Sequence, residues 1–348
     1  MSETPPGVDL DRLRPWFAAN VEGAGDAPLH ASLISGGRSN LTYAIGDGTN
    51  EWVLRRPPLG HVLPTAHDMK REHTVLAALR DTDVPVPRTL AFCADESVND
   101  APFYVMEKIE GDILRTPAEM AALTPDDARR CSEELIDVMV AIHAVDYRAA
   151  GLDEFGHPDG YLERQVRRWG EQWERSKGRD IPAIEELARR LRAALPESPP
   201  PTIVHGDYRL DNTMLAPGDA GRIVAVLDWE MATLGDPLTD MGLFLVYWGR
   251  DQSNLAGSSS VDTEAGFLSR EQVIARYADR SGRDVSQLDF YEMLAAYKLA
   301  IILAGIEARY RMGKTVGEGF AHIGNMVEQI ANSALESGAT SSIPALRG

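Results

Sequence analysis

Cysteine is nearly absent from this sequence: its 348 residues include only Cys93 and Cys131, with no C-x-x-C and no cluster of His and Cys. That excludes a disulfide framework and gives no support to a zinc site. A chain this long buries an ample core without covalent staples, as two packed units or one large one. A reducing cytoplasm is the matching expectation. Long apolar runs are missing too. GLFLVYW and LAIILAGI are the longest, well short of the roughly 20 residues a membrane-spanning helix needs. The opening MSETPPGVDL lacks the basic and apolar segments of a leader, so no membrane partner is expected. Positive charge is scarce: 35 Lys and Arg against 53 Asp and Glu leave a net charge of -18. Counterion release on nucleic acid requires a basic stripe, so no nucleic-acid partner is expected either. Internal repeats and a G-x-G-x-x-G turn are also lacking.

What is present begins with strand signals. LTYAI, a turn over Gly46 to Asn50, and EWVLRR stopped by Pro57-Pro58 read as a hairpin. Ahead of it lies ISGGRSN, whose Gly pair suits either a close approach of backbone to a ligand or an ordinary tight turn. A helix is signalled from Thr65 as cap, with Asp68 at the capping-box position and Met69, Leu76 and Leu79 on one stripe. Glu72 lies in that stripe, and an acid among core positions needs a cation or hydrogen-bond partner. PFYVMEKIEG reads as a strand running into a polar linker. Beyond it a helix capped by Thr124 carries Cys131, Leu135, Val138 and Ile142 on one face. A charge-dense helical segment spans Tyr161 to Leu195, and the strand-like stretches TIVHGD, NTMLA and RIVAVLDW follow it. From about Leu268 two helices are expected, the second largely buried, with a mobile loop over DQSNLAGSSSVDTEAG and a loose tail in the last dozen residues. The expected organisation is a small strand-rich lobe over 1–107 and a larger helical lobe over 108–348.

HGDYRLDN, His205 to Asn212, carries the chemistry together with Asp228, sixteen residues after Asn212. If Thr213–Ala216 pairs with Arg222–Leu227 across Pro217 to Gly221, Asn212 opposes Val226. Asn212 and Asp228 are then diagonal neighbours on one face, roughly 7 Å apart. Asp207 stands at the mouth of the same site. Two aspartates and an asparagine make a poor zinc site and a good hard-cation site, because Mg²⁺ takes oxygen ligands and keeps substrate phosphates. Phosphate chemistry is the natural inference.

HGDxxxxN, then LDWE at Leu227 to Glu230, then GDPLTD at Gly235 to Asp240, resembles the aminoglycoside phosphotransferase family of small-molecule kinases. Within it the chain looks nearest to the phosphotransferase domains fused to acyl-CoA dehydrogenases. The resemblance implies an α+β, two-lobed protein-kinase-like fold, with an antiparallel-sheet N-lobe and a mainly helical C-lobe. It implies an enzyme that moves the γ-phosphate of ATP to a hydroxyl of a small molecule, with Mg²⁺. By carry-over, Asp207 would orient the acceptor hydroxyl and take its proton, and Asn212 and Asp228 would hold Mg²⁺. His205, Asp236 and Asp240 would support the loop. Arg55 would clamp the phosphates and pair with Glu72, standing where the family often has lysine. Alternation favours Arg55 over Arg56, which reads as a surface charge. Gly36, Gly37, Arg38 and Asn40 would form the phosphate-covering loop. Met106, Glu107 and Ile109 would line the adenine site between the lobes.

The acceptor stays open between hydroxyacyl-CoA-like and aminoglycoside-like molecules. Arg167, Arg168, Trp169 and Trp173 would suit the phosphates and adenine of a CoA thioester. The other reading of that segment is a solvated helix whose arginines pair with Glu163, Glu171 and Glu174. Tyr208, Trp229, Tyr247 and Trp248 fit a pocket wall or the core equally. Of three rival functions, a metal phosphohydrolase built on His61, His67, Asp68 and His73 would need helices where strands flank HGDYRLDN, and a dinucleotide oxidoreductase built on the Gly pair lacks the G-x-G-x-x-G turn, which leaves a catalytically silent kinase-like module that binds nucleotide as the alternative. The sequence leaves the oligomeric state unassigned.

Overall fold

A computed structural model describes residues 4–35, 40–60, 68–248, 261–311 and 323–348. In the N-terminal lobe, α1 (Leu10–Asn20) precedes β1 (His30–Ser35), β2 (Leu41–Gly46) and β3 (Glu51–Arg56). Then come α2 (Met69–Leu79), β4 (Thr89–Cys93), the short α3 (Glu96–Asn99) and β5 (Phe103–Glu107). The strands form one antiparallel sheet in the order β1-β2-β3-β5-β4. Helices cover both of its faces, which is why β3 is buried on both sides. Trp52 and Leu54 pack against Leu13 and Phe17 of α1. Val53 packs with Met69, Val75, Leu76 and Leu79 of α2. Fully burying such a side chain is worth about 1.5–3 kcal/mol, so each face contributes several of these increments. The β2–β3 hairpin has the expected limits. α2 begins later than its sequence signal: Asp68 is the N-cap and accepts the Arg71 amide at 3.0 Å, while Thr65 lies outside the described residues.

The C-terminal lobe holds α4 (Pro117–Ala121), α5 (Pro125–Ala144), α6 (Tyr161–Ser176) and α7 (Pro182–Ala193). Two short two-stranded sheets follow, built from β6 (Thr202–Val204), β7 (Thr213–Ala216), β8 (Asp219–Val226) and β9 (Thr233–Gly235), with β6 paired to β9 and β7 to β8. The chain then enters α8 (Leu238–Tyr247), α9 (Arg270–Ser281), α10 (Leu288–Arg311) and α11 (Ile323–Ala339). The single segment expected over 161–195 is two helices, because Pro182 opens α7 at its first turn, where a missing N–H costs nothing. Three helices rather than two follow Leu268. Much of the buried face of α11 is Ala331, Ala334 and Gly338, so its apolar period is muted in sequence. α10 is apolar on nearly all sides and packs against α6, α7, α8 and α11. The last residues are not loose: Leu346 is fully buried, and its carbonyl accepts from Arg190 at 2.8 Å. The loop expected over 251–266 lies mostly outside the described residues. Among those residues no helix is long and apolar enough to cross a membrane.

Candidate active site

The site is built on the loop that leaves β6. Asp240, in the first turn of α8, accepts the His205 amide on Oδ2 and the Gly206 amide on Oδ1, both at 2.7 Å. Burial would raise this carboxyl's pKa, but contact with His143 and these donors outweighs it and lowers the pKa. Gly206 has φ +84°, and a Cβ there would meet the Met231 carbonyl at 2.7 Å, so the loop passes this point only as glycine. His205 is fully buried. Its Nδ1 accepts the Asp207 amide at 3.2 Å, which puts the ring proton on Nε2, where it is donated to the Leu227 carbonyl at 3.0 Å. Asp236 accepts from the Leu238 amide at 3.0 Å and the Tyr291 hydroxyl at 2.8 Å.

Asp207 is half-buried, and Asn212 pins it. The Asn212 amide donates to the Asp207 carbonyl at 2.8 Å and to its Oδ2 at 3.0 Å. With Nδ2 directed at Asp207, Oδ1 is the atom that Asn212 can offer to a metal. The hairpin register differs from the sequence expectation by one residue: Thr213, not Asn212, opposes Val226, and bulges near Leu215 let β8 start at Asp219, closing on Pro217-Gly218. Simple alternation would then place Asn212 and Asp228 on opposite faces. Alternation does not apply to either residue, because each departs from strand geometry. Asn212 ends a 3-10 turn over Leu210–Asn212, and Asp228 has φ 64° and ψ 59°. That left-handed conformation costs roughly 1–2 kcal/mol in most residues, and aspartate visits it more readily than bulky residues do. It delivers the Asp228 carboxylate to β3.

Arg55 joins the lobes. Its Nε donates to Glu72 at 3.0 Å, Nη1 to Thr42 Oγ1 at 3.3 Å and Nη2 to Asp228 Oδ1 at 2.5 Å. Burial alone would lower the Arg55 pKa. The charges of Glu72, Tyr104 and Asp228 overcome it and hold the guanidinium protonated. Burial pushes the Glu72 carboxyl up to about 7, against the pull of Arg55. Asn40 adds a second tie, donating to Glu230 at 3.2 Å and lying 3.5 Å from Glu72. Arg56 is no surface charge. It is buried on the opposite face of the sheet, donating to the carbonyls of Gly7 at 2.7 Å and Asn99 at 3.1 Å.

Gly36, Gly37 and Arg38 lie outside the described residues, as do His61 and His67. Met106 is buried in the sheet opposite Val53, Glu107 ends β5 and binds the Arg88 amide at 2.8 Å, and Ile109 follows in the linker. On α6, Arg167 faces solvent 4.0 Å from Glu171, Arg168 is exposed and Trp173 is buried. Trp169 is half-buried beneath the ammonium of Lys298. Tyr208, Trp229 and Trp248 are core residues, and the Tyr247 ring lies under Arg209. His73 packs against Phe92 and Tyr104, and no group of three or more His, Cys, Asp or Glu capable of holding a metal occurs among the described residues.

Two basic residues near Asp207 carried no sequence signal of their role. Arg209 lies 3.8 Å from Asp207 Oδ2 and 3.4 Å from Asp211. Lys298, from the middle of α10, donates to the Gly206 carbonyl at 2.7 Å. For Arg209 the only available cue is its place inside the motif. For Lys298 it is a lone cation in a helix otherwise apolar at its centre.

The sequence profile of the phosphotransferase enzyme family matches residues 30–291. Acyl-CoA dehydrogenase family member 11 of Rattus norvegicus is 33% identical over 336 residues, covering 94% of this chain and 43% of the relative. The chain thus spans less than half the length of that relative. A crystal structure from Ralstonia eutropha, classed with the aminoglycoside phosphotransferases, is 32% identical with a TM-score of 0.83, covering 94% of this chain and 98% of the other. A thermostable mutant of an aminoglycoside phosphotransferase, solved with AMP-PNP and hygromycin B, is 15% identical with a TM-score of 0.60, covering 94% and 99%. That last likeness is one of fold. Together with the sheet-and-helix division it establishes the two-lobed, kinase-like α+β architecture.

Proposed function

Because the chain belongs to the phosphotransferase enzyme family, we propose that it transfers the γ-phosphate of ATP to a hydroxyl of a small molecule, with Asp207 as catalytic base. The carrying observation is the Arg55 bridge from Glu72 to Asp228, which sets a phosphate-binding cation and a metal-binding carboxylate together beside the Asn212–Asp207 pair. The lobe boundary falls after Glu107, with the nucleotide between the lobes. Gly36, Gly37, Arg38 and Asn40 cover its phosphates, and Met106, Glu107 and Ile109 border the base.

Asn212 Oδ1 and the Asp228 carboxylate would hold Mg²⁺, being the hard oxygen donors that it takes. When bound, the metal neutralises charge on the triphosphate. The residues do the rest. Arg55 turns its guanidinium from Asp228 to the phosphates while Glu72 keeps hold of Nε. Asp207, fixed by Asn212 and by the His205 ring, accepts the acceptor's hydroxyl proton as that oxygen attacks the γ-phosphorus and the bond to ADP breaks. A loose transition state asks mainly for position and charge, which this loop supplies.

The favoured acceptor is a hydroxyacyl-CoA-like molecule. The relative's name supports this, and so does the cation Lys298 beside Asp207, a poor neighbour for a polycationic antibiotic. Of the family's acceptor helix, Arg167, Arg168, Trp169 and Trp173 remain candidates, and Trp173, though buried, lines one cavity with Arg167. One observation favours the silent module: Arg55 already engages one oxygen of Asp228 at 2.5 Å. Mg²⁺-dependent ADP release separates the two. With hydroxyacyl-CoA thioesters and aminoglycosides tested side by side, stimulation by either acceptor supports transfer. Saturable ATP binding with no stimulation by any acceptor would leave the silent module.

A further inference from the structure

Lys298 is an unusual residue for its place. It sits midway along α10, half-buried between Tyr297 and Leu299, which are both buried. Its ammonium donates to the Gly206 carbonyl at 2.7 Å and stands 5.9 Å from the centre of the Trp169 ring. Burial depresses its pKa, and the charges of Asp207 and Asp240 pull the other way. Neither acid is an ion-pair partner of Lys298 within 4.0 Å among the described residues, and Asp240 already serves two backbone amides and His143. Lys298 is half-buried, so it meets part of the several kcal/mol that full desolvation of an ammonium costs, with one neutral carbonyl and an aromatic face as its partners. A neutral amide donor would tie Gly206 to α10 without that penalty. The ammonium has three N–H donors, and Gly206 uses one.

The position suggests what the remaining donors serve. Gly206 immediately precedes Asp207, and Trp169 belongs to α6, so the ammonium lies between the base and that helix. We infer that Lys298 is a specificity-determining residue, donating to an acyl oxygen of the acceptor a few bonds from the hydroxyl that Asp207 orients. The inference rests on the phosphotransfer reading and deepens it: the acceptor is an acyl compound carrying a carboxylate or thioester carbonyl. An acceptor that presents an ammonium at this point is repelled. The Trp169 face lies alongside for the hydrocarbon part of the acyl chain.

The test uses the full chain and butyryl-CoA, which has the carbonyl and lacks the reactive hydroxyl, titrated calorimetrically beside acyl-free coenzyme A. Lys298→Met, of similar length without charge, should weaken butyryl-CoA at least tenfold and leave coenzyme A and AMP-PNP within about threefold. Lys298→Arg should recover most of the loss. Equal butyryl-CoA affinity in wild type and Lys298→Met overturns the inference. Parallel losses of butyryl-CoA and coenzyme A overturn the carbonyl contact. Loss of AMP-PNP binding as well marks Lys298 as a prop for the loop and overturns it too. Absence of saturable butyryl-CoA binding to wild type refutes the acyl class. The phosphotransfer reading fails by a different result, the absence of Mg²⁺-dependent ADP release with any acceptor.

Discussion

Replacing Glu72 with glutamine isolates the electrostatics of the lobe junction. The side chain is 2% exposed, and its Oε2 accepts from Arg55 at 3.0 Å. Glutamine preserves the shape and one acceptor while removing the charge. In the folded chain the Glu72 carboxyl titrates at about 7, raised by burial, whereas an unfolded glutamate titrates near 4.3. An acid whose folded pKa is raised binds its proton more tightly when folded. Its stabilisation is therefore complete below the unfolded value and is lost as pH rises through the folded one. At about 1.4 kcal/mol per unit of differential protonation, wild type should lose about 2 kcal/mol relative to Glu72→Gln between pH 5.5 and 8. Groups common to both proteins cancel in the difference. Urea unfolding of the two across that range measures it directly. A constant difference, or a wild type that gains on the variant with rising pH, would refute the argument. The second outcome would mean that Arg55 and not burial governs the carboxyl.

Other consequences follow from the same geometry. Asp207→Ala should lower ADP release by about 10²–10⁴-fold, the usual range for a lost general base, with AMP-PNP affinity kept within a fewfold by calorimetry; full turnover would sink the assignment. Asp228→Ala should abolish the Mg²⁺ dependence of nucleotide binding, seen by repeating the titration with and without the metal, and an unchanged metal effect would count against Asp228. Gly206→Ala places a Cβ 2.7 Å from the Met231 carbonyl at φ +84°. It should cost at least about 2 kcal/mol through backbone strain and overpacking, and a melting temperature equal to wild type would contradict that.

Alternation along EWVLRR was enough to separate Arg55 from Arg56, because side chains on a strand point to opposite faces whatever packs there. Helical periodicity, a different local rule, marked Glu72 as an acid on the buried stripe of α2. The order of HGDxxxxN, LDWE and GDPLTD marked the loop and the residues proposed as its base and oxygen donors, since those residues lie within one short stretch and its hairpin. Composition settled the scarcity of disulfides and of long apolar helices. Register was less legible. Bulges near Leu215 slide the hairpin by one residue, and Asn212 and Asp228 each leave strand geometry, so alternation does not fix their faces. The fate of Arg56, the seating of Leu346 and the arrival of Lys298 at Gly206, 92 residues away along the chain, had no local cue. Periodicity reports which face of an element is apolar, but not which other element will cover it. That choice belongs to the packing of α1, α7, α10 and α11 against their neighbours, and it decides which carbonyl a buried arginine or lysine meets.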